Sequence, residues 1–385
     1  MFRLSQIQRH ISNGNTLLGV GPMSKECVDR VIHLANTYCK PILLIASRRQ
    51  IDSEEFGGGY VNNWSTKEFA SYVRSHDKKG CVLLARDHGG PWQNPLEVSS
   101  NLSLVDALDS AKRSFREDIH SGFDFIHIDT SIDIHHQPSP DETIERLLDL
   151  YNFCYKCASD LDKNLIFEIG TEEQSGDTND IQSNQYILTK VKEGLLSLGI
   201  PDPHFMVMQT GTRVLSDRNV GVLDSLTRLP NQIPAEILIP QIVNFCNSNQ
   251  IYLKEHNLDY ASTELLQWHP RLGIHAANVA PEFGVVQTRC LFNLLSRFGA
   301  ASHLQFFIDQ ALASEKWKKW FIPEFDDDPL RKALLSFHYC LSYPDVQARL
   351  NTFVSELEQH NVCYEQEVSR ALDSAINRYL ISFGY

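Results

Sequence analysis

The chain has 385 residues, of which 42% are hydrophobic and 22% charged, and its formal net charge is −13. This composition supports a large buried core and argues against a disordered chain. No run approaches the roughly 18 apolar residues of a membrane span and the N-terminus lacks a signal-peptide pattern, so we expect a cytoplasmic protein without a membrane partner. The negative charge would repel a phosphate polyanion, which argues against nucleic-acid binding.

Short apolar runs alternate with amphipathic stretches from residue 17 onward, a pattern typical of βα units and a parallel sheet. Eight such runs predict an α/β fold, a closed (β/α)8 TIM barrel. A doubly wound open sheet is the alternative, and we favour the barrel because polar residues follow nearly every strand. The predicted strands are Leu17 to Gly21, Ile42 to Ala46, Val82 to Ala85, Phe125 to Asp129, Leu165 to Ile169, Phe205 to Met208, Ile251 to Lys254 and Leu272 to Ala276.

The alternation of strands and helices ends near residue 300, and the rest of the chain has helical spacing. Trp317 and Trp320 precede an acidic turn, and the apolar residues Leu334, Leu335 and Leu341 follow it. Such spacing suits helices packed on the barrel or on a second subunit. We predict a barrel over residues 1–300 and a helical C-terminal extension over residues 301–385, packed on the barrel.

Histidines and acidic residues follow several predicted strands, and these strand ends converge at one mouth if the barrel closes. Imidazole suits zinc, and carboxylates broaden the choice toward manganese or magnesium. A histidine that only caps its strand is the alternative for each residue alone. As a set, the residues predict a divalent-metal site, Zn²⁺ first and Mn²⁺ or Mg²⁺ otherwise. His88 and His256 are the first choices as ligands, and Asp87, Glu168, Glu172 and Gln209 accompany them.

Other polar residues near the strand ends are candidates for substrate binding. Gly57-Gly58-Gly59 could bring backbone N–H groups close to an anion, although a plain flexible loop is the alternative. One of Arg48 and Arg49 could fork onto a phosphate or carboxylate. The predicted substrate-binding residues are Arg48, Gly58, Gly59, Asp129, Ser131, Arg213, His275, Asn278 and Glu282, and the predicted catalytic carboxylates are Asp87, Glu172 and Asp259.

Two segments, Gly122 to Ser131 and Asp87-His88-Gly89, resemble class II ketose-bisphosphate aldolases. More specifically, an ordered set of motifs resembles the GatZ/KbaZ family, the larger, so-called non-catalytic subunits of tagatose-1,6-bisphosphate aldolase. These motifs are Gly58-Gly59-Tyr60, Asp87-His88-Gly89-Gly90-Pro91, Ile126-His127-Ile128-Asp129-Thr130-Ser131, Ile169-Gly170-Thr171-Glu172 and Glu255-His256-Asn257-Leu258-Asp259-Tyr260.

The resemblance implies that His88 binds the metal and that the preceding Asp87 is the acid/base. It also implies that His256 is the ligand from the seventh strand. The chain departs from the aldolase pattern after the sixth strand, where Gln209 stands without a histidine. Gln209, Glu168 or Glu172 would then complete the coordination. His275, Asn278 and Glu282 would read the sugar, because the usual phosphate signature is missing.

The function that follows is a metal-dependent, class II aldolase-like lyase that cleaves or forms a C–C bond in a phosphorylated ketose through an enediolate. An epimerase acting on a ketose at the same metal site is the nearest alternative. A supporting subunit of a tagatose-bisphosphate aldolase is the alternative from a different class. The expected partners are a small sugar or sugar phosphate, a smaller class II aldolase subunit, and further copies of the chain in a homo-oligomer.

Overall fold

A computed structural model describes residues 2–170, 181–224, 234–321 and 328–385. Eight parallel strands close into a barrel in the order β1-β10-β9-β6-β5-β4-β3-β2, which confirms the predicted TIM-barrel fold. A short antiparallel hairpin, β7 (Val214–Leu215) and β8 (Arg218–Asn219), follows the sixth barrel strand. The barrel strands are β1 (Leu17–Val20), β2 (Ile42–Ser47), β3 (Val82–Gly89), β4 (Phe125–Asp129), β5 (Ile166–Gly170), β6 (Phe205–Val207), β9 (Tyr252–Glu255) and β10 (Ala276–Val279).

Helices surround the barrel and continue beyond it. None of the helices in the described ranges is long and apolar enough to cross a membrane. The helices are α1 (Phe2–Ser12), α2 (Lys25–Tyr38), α3 (Thr66–His76), α4 (Pro95–Ser99), α5 (Leu104–Ser121), α6 (Pro140–Asp160), α7 (Ile181–Leu198), α8 (Ala235–Ser248), α9 (Thr263–Leu272), α10 (Pro281–Arg297), α11 (Ala301–Ala313), α12 (Pro329–Ser336), α13 (Pro344–Gln359) and α14 (Tyr364–Ser382).

Side chains alternate along each strand between the barrel interior and the helix layer, as the pleat of a strand requires. On β4, Phe125 joins the interior core, whereas Ile126 and Ile128 pack in the cluster between the sheet and the helices. The lower part of the interior is apolar, and Ile7 of α1 is buried against it. The apolar layer leaves the C-terminal ends of the strands as the polar end of the barrel.

The helical extension after the barrel is also confirmed. Helix α14 packs against α2, α9 and α10, and the Arg30 guanidinium of α2 donates to the Asp373 carboxylate at 2.7 Å. The chain end is also tied to the barrel, because the Tyr385 hydroxyl accepts the Leu18 N–H. The division at residues 300 and 301 stays a prediction.

The predicted eighth strand was wrong in position, because residues 272–276 hold the end of α9 and the connection into β10. Gly273 is the C-cap of α9 with a φ of 78°. This left-handed conformation suits glycine, and it ends the helix. The strand itself begins at Ala276, so His275 lies at its N-terminal end and Asn278 lies within it.

Candidate metal centre

Four buried or nearly buried side chains from four barrel strands meet at the C-terminal end of the barrel: Asp87, His127, Glu168 and His256. Their positions follow from strand register and alternation. His127 on β4 is the direct neighbour of Glu168 on β5, and both point into the interior because they share the face of Phe125 and Ile166. We call these four residues the ligand cluster.

The spacing of the ligand cluster suits one metal ion. The Glu168 Oε1 atom lies 3.3 Å from His256 Nε2 and 3.5 Å from His127 Nδ1. The Asp87 Oδ1 atom lies 3.7 Å from His256 Nε2 and 3.8 Å from His127 Nδ1. Four ligands held about 2.1 Å from one tetrahedral ion lie roughly 3.4 Å apart. Two imidazoles and two carboxylates therefore fit a divalent ion in both chemistry and spacing.

The orientation of the His127 ring adds to this fit. Its Nδ1 atom accepts the His88 backbone N–H at 3.1 Å. The same Nδ1 atom faces Glu168 and Asp87, so a bound ion would replace the His88 N–H as the partner of its lone pair. Gly170 makes room for the ring, because a Cβ atom there would lie 2.6 Å from His127 Nε2.

Two further polar side chains complete the interior of this end. The Lys254 ammonium donates to Glu168 Oε2 at 2.6 Å, and both side chains are 1% exposed. Lys254 thus occupies one carboxylate oxygen and leaves Oε1 facing the histidines. The Asn278 amide donates to Asp87 Oδ1 at 3.1 Å. Its own Oδ1 atom is buried and has no hydrogen-bond partner among the described residues.

His88 lies outside the ligand cluster, nearer the solvent. The β3–β4 pairing is irregular between Arg86 and Gly89, and His88 there has a φ of 46°. Its Nδ1 atom lies 2.5 Å from Asp129 Oδ2, and its Nε2 atom lies 3.1 Å from His256 Nδ1. With 35% of its side chain exposed, His88 is oriented by a buried carboxylate and open to the barrel mouth.

The charges of the site favour ionised carboxylates. Burial opposes ionisation of Asp87, but the positive charge of His88 outweighs it and holds the pKa of Asp87 well below its usual range. Burial also opposes ionisation of Glu168, but the Lys254 charge outweighs it and lowers the pKa of Glu168 to about 2. Burial lowers the pKa of His256 to about 4, so this ring is a neutral donor. Neutral imidazole and ionised carboxylate are the forms that bind metals.

Several predicted site residues come together here. Asp87, Glu168 and His256 belong to the ligand cluster, and His88 and Asn278 contact it. Asp129 orients His88, and its Oδ1 atom accepts the N–H and hydroxyl of Ser131. Glu172 lies outside the described residues.

Arg48, Gly58 and Gly59 do not present free groups to a substrate, which corrects the predicted anion site. The Arg48 guanidinium is buried and donates to Asp52, Glu97, Ser110 and the Gly90 carbonyl. The N–H groups of Gly58 and Gly59 donate to the carbonyls of Ser53 and Trp64. A Cβ at Gly59 would lie 1.9 Å from the Gln50 oxygen, so this glycine serves close backbone packing.

His275, predicted to bind substrate, lies at the opposite end of the barrel. Its Nδ1 atom accepts the Leu253 N–H at 2.9 Å, and it lines a cavity beside α1. This position follows from the shifted start of β10. The predicted position of His275 at the mouth was therefore wrong.

Asp259 and Glu282 lie together at the start of α10, apart from the ligand cluster. Asp259 Oδ1 accepts the N–H groups of Ala280 and Glu282, both at 2.9 Å. Glu282 pairs with Arg378 of α14 at 3.0 Å. These contacts fix the helix start and the extension, and they give both carboxylates a structural explanation.

The two predicted residues that follow β6 lie in different settings. Gln209 is half-buried directly after the strand, and Arg213 is exposed before β7. The Arg213 backbone N–H donates to Asn219, which ties the start of the hairpin together.

Two residues of the site, His127 and Lys254, were missed from the sequence. A signal for both was present. Phe125, His127 and Asp129 alternate with isoleucines along one strand, and Tyr252, Lys254 and His256 alternate along another. A period of two places each set on one face, and the polar members of each set then point to the interior with the recognised ligand or acid.

Solved structures share this fold. A probable tagatose 6 phosphate kinase from Sinorhizobium meliloti 1021 matches with a TM-score of 0.74 and 14% identity, over 95% of this chain and 100% of that one. The YdjI aldolase from Escherichia coli K12 matches with a TM-score of 0.51 and 11% identity, over 99% and 96%. The fructose-bisphosphate aldolase from Campylobacter jejuni matches with a TM-score of 0.51 and 12% identity, over 97% and 93%.

These likenesses establish the fold, and their low identities establish no more than that. No protein-family model matches the sequence, and no curated protein matches it either.

Proposed function

We propose that the chain is a metal-dependent carbohydrate enzyme of the aldolase type, acting on a ketose or ketose phosphate. The observation that carries this proposal is the ligand cluster, in which two histidines and two carboxylates converge at the catalytic end of a TIM barrel. Two of the solved structures with this fold are named aldolases, which supports the choice of reaction.

Asp87, His127, Glu168 and His256 would hold the ion. Zn²⁺ is the first candidate, and the two carboxylates keep Mn²⁺ and Mg²⁺ open. Such an ion supplies a Lewis acid that stabilises negative charge developing on a carbonyl oxygen. Lys254 positions Glu168 through Oε2, which favours binding through Oε1 alone.

Proton transfer is assigned to His88, oriented by Asp129. The family resemblance implies the opposite pairing, with His88 as a ligand and Asp87 as the acid/base. The geometry favours exchanging these two roles. Asp87 lies within the ligand cluster, whereas His88 is the more exposed of the two and its Nδ1 atom contacts the Asp129 carboxylate. Its Nε2 atom, which lies 3.1 Å from His256 Nδ1, would exchange that contact for the substrate, as a general acid or base requires. Asn278 would hold a substrate hydroxyl next to Asp87.

Metal analysis tests the ligand assignment. We expect about one divalent ion per wild-type chain and a large loss of bound ion in His127→Gln. His275→Gln is the matched control, because it removes a buried histidine from the other end of the barrel. Full occupancy in His127→Gln, or equal losses in the two variants, would contradict the cluster.

The reaction is tested with the metal-loaded chain and a panel of ketose phosphates, scored for triose release and for epimer formation. Triose release that is lost in His88→Gln, while the metal is retained, supports the aldolase assignment. Epimer formation without triose release supports the epimerase on the same site. Gln209, in place of a histidine after β6, favours one further outcome: no turnover by the chain alone, with activity gained by a smaller aldolase subunit on mixing.

A further inference from the structure

Arg49 lies at the mouth of the barrel, directly after Arg48, whose guanidinium is fully paired within the protein. Ser47, at the end of β2, is the register neighbour of Asp87, and Arg49 follows it by two residues. The Arg49 carbonyl accepts the Tyr60 N–H at 3.2 Å, while its side chain is exposed. Arg49 therefore lies two residues past the strand position that neighbours Asp87, with its side chain in solvent.

The C-terminal extension brings a second cation to the same place. Its 3₁₀ turn Lys316–Lys319 ends at Trp320, whose carbonyl accepts the Ser216 N–H of the hairpin after β6 at 2.6 Å. The Trp320 indole N–H donates to the Tyr339 hydroxyl at 2.9 Å, and the Tyr339 ring packs edge-on against Tyr60 at 4.9 Å. These contacts connect Lys319 to the loop that carries Arg49.

The two charges are close enough to affect their surroundings. Lys319 is solvent-exposed, yet its surroundings and the nearby Arg49 charge lower its pKa to about 8. Burial raises the pKa of Tyr339 to about 12, and the Trp320 hydrogen bond and the Arg49 charge limit that rise. The Arg49 charge thus acts on the pKa values of both Lys319 and Tyr339, two residues of the extension.

Neither cation has a carboxylate partner within the described part of the chain. Other cations nearby are paired: Arg48 with Asp52 and Glu97, and Lys318 with Glu315 at 2.6 Å. The Lys319 ammonium instead lies 4.4 Å from the centre of the Trp320 ring. Two like charges held together without a counter-ion repel each other, and a bound anion removes that repulsion.

We propose that Arg49 and Lys319 together bind an anionic group of the substrate, a phosphate or a carboxylate, at the end remote from the ligand cluster. The inference rests on the proposed function for the identity of the ligand as a substrate. Arginine offers a planar fork to such a group, and lysine offers a point charge. The extension would then contribute directly to substrate recognition, because Lys319 belongs to it.

Trp320 provides a reporter for the test. The full-length wild-type chain is titrated with inorganic phosphate and, separately, with glycolate, at constant ionic strength, and tryptophan fluorescence is followed beside calorimetry. We expect saturable binding of one of the two anions. The dissociation constant should be roughly tenfold larger in Arg49→Gln and in Lys319→Gln. Lys318→Gln is the matched control, because it removes a neighbouring lysine that is already paired, and it should bind as wild type does.

The two arms separate the sources of the anion. Tighter binding of phosphate identifies a phosphate ester as the substrate group, and tighter binding of glycolate identifies a sugar acid. No saturable binding of either anion, or an equal weakening in Lys318→Gln, overturns the proposal. Metal content measured on the same samples keeps the two proposals apart: anion binding without a bound metal contradicts only the metal function, and a bound metal without anion binding contradicts only the anion site.

Discussion

The polar groups on the two faces of the barrel strands differ in how completely they are paired. Arg86 and Asp87 are neighbours on β3, but Arg86 points to the helix layer and Asp87 to the interior. The Arg86 guanidinium forks onto Asp118 at 2.6 and 2.8 Å and also donates to the carbonyls of Ala46 and Ile51. On the outer face, the buried Arg86 charge is thus fully paired by groups of the protein itself.

The inner face leaves polar atoms unused. Asn278 Oδ1, beside Asp87, is buried and has no hydrogen-bond partner in the described part of the chain. His127 Nε2 is likewise buried without one, on the side of the ring that faces Gly170. The same contrast recurs at the end of β9, because Glu255 faces outward and contacts His269 at 2.5 Å, while the next residue, His256, belongs to the ligand cluster. Complete networks stabilise a fold, whereas incomplete ones at a barrel mouth are available to a ligand.

Breaking the outer network should have the largest effect. Arg86→Met removes the cation that pairs with the fully buried Asp118 carboxylate, and we expect a loss of about 3–5 kcal/mol in the free energy of unfolding. Urea denaturation measures it. The double variant Arg86→Met with Asp118→Leu should recover part of the loss, because no charge is left buried. A loss below about 1 kcal/mol in the single variant would show that the network is dispensable.

Removing Lys254 from its ion pair with Glu168 should have an effect on stability that metal reverses. Lys254→Met leaves Glu168 buried without its cation, so the metal-free chain should lose up to about 3–5 kcal/mol. An added divalent ion replaces the missing cation beside Glu168, so at one fixed concentration it should stabilise Lys254→Met more than wild type, and an ion at 100 times its dissociation constant contributes roughly 2.7 kcal/mol. Unfolding with and without added Zn²⁺ measures both values. Arg86→Met is the comparison, since its loss should recover no more than wild type gains.

Much of the fold could be predicted because barrel strands repeat a simple pattern. Seven of the eight predicted strands overlap the observed ones closely, since each is a short apolar run before polar residues. The eighth failed because Leu272 and Ile274, apolar and close together, flank a helix cap at Gly273 and do not form a strand. Local hydrophobicity cannot separate a helix end from a strand start. Because the predicted strand began too early, His275 was predicted at the wrong end of the barrel.

The site could be predicted only in part, for a related reason. A residue directly after a strand, such as Asp87 or His256, was found because strand ends converge in a barrel. His127 and Lys254 lie within strands, where a polar residue is easily taken for part of the core pattern. For Arg48 and Arg49, sequence could not decide which would be paired, because Asp52 and Glu97 reach Arg48 only through the folded loops.

Crowding the inner face should have a smaller effect on stability than removing a charge. Gly170→Ala places a methyl group 2.6 Å from His127 Nε2, so the ring must move. We expect a loss of about 1–3 kcal/mol in the free energy of unfolding, and a roughly 10- to 100-fold weaker metal affinity because a ligand is displaced. Calorimetric titration with Zn²⁺ measures the affinity. Wild-type affinity in a stably folded Gly170→Ala variant would remove His127 from the ligand cluster.

A pH-dependent effect is expected at Asp259, which the structure assigns to the start of α10. Burial raises the pKa of Asp259 to about 7, and the unfolded chain has an ordinary value of about 3.9. Between these values the folded state holds a proton that the unfolded state releases, so this residue lowers stability as pH rises from about 4 to 7. Asp259→Asn keeps an oxygen for the N–H groups of Ala280 and Glu282 and removes the titration. The stability of the variant relative to wild type should therefore increase across that interval in urea denaturation, with metal affinity unchanged. A difference that does not vary with pH would contradict the assignment, and a loss of metal binding would return Asp259 to the inner, incompletely paired group.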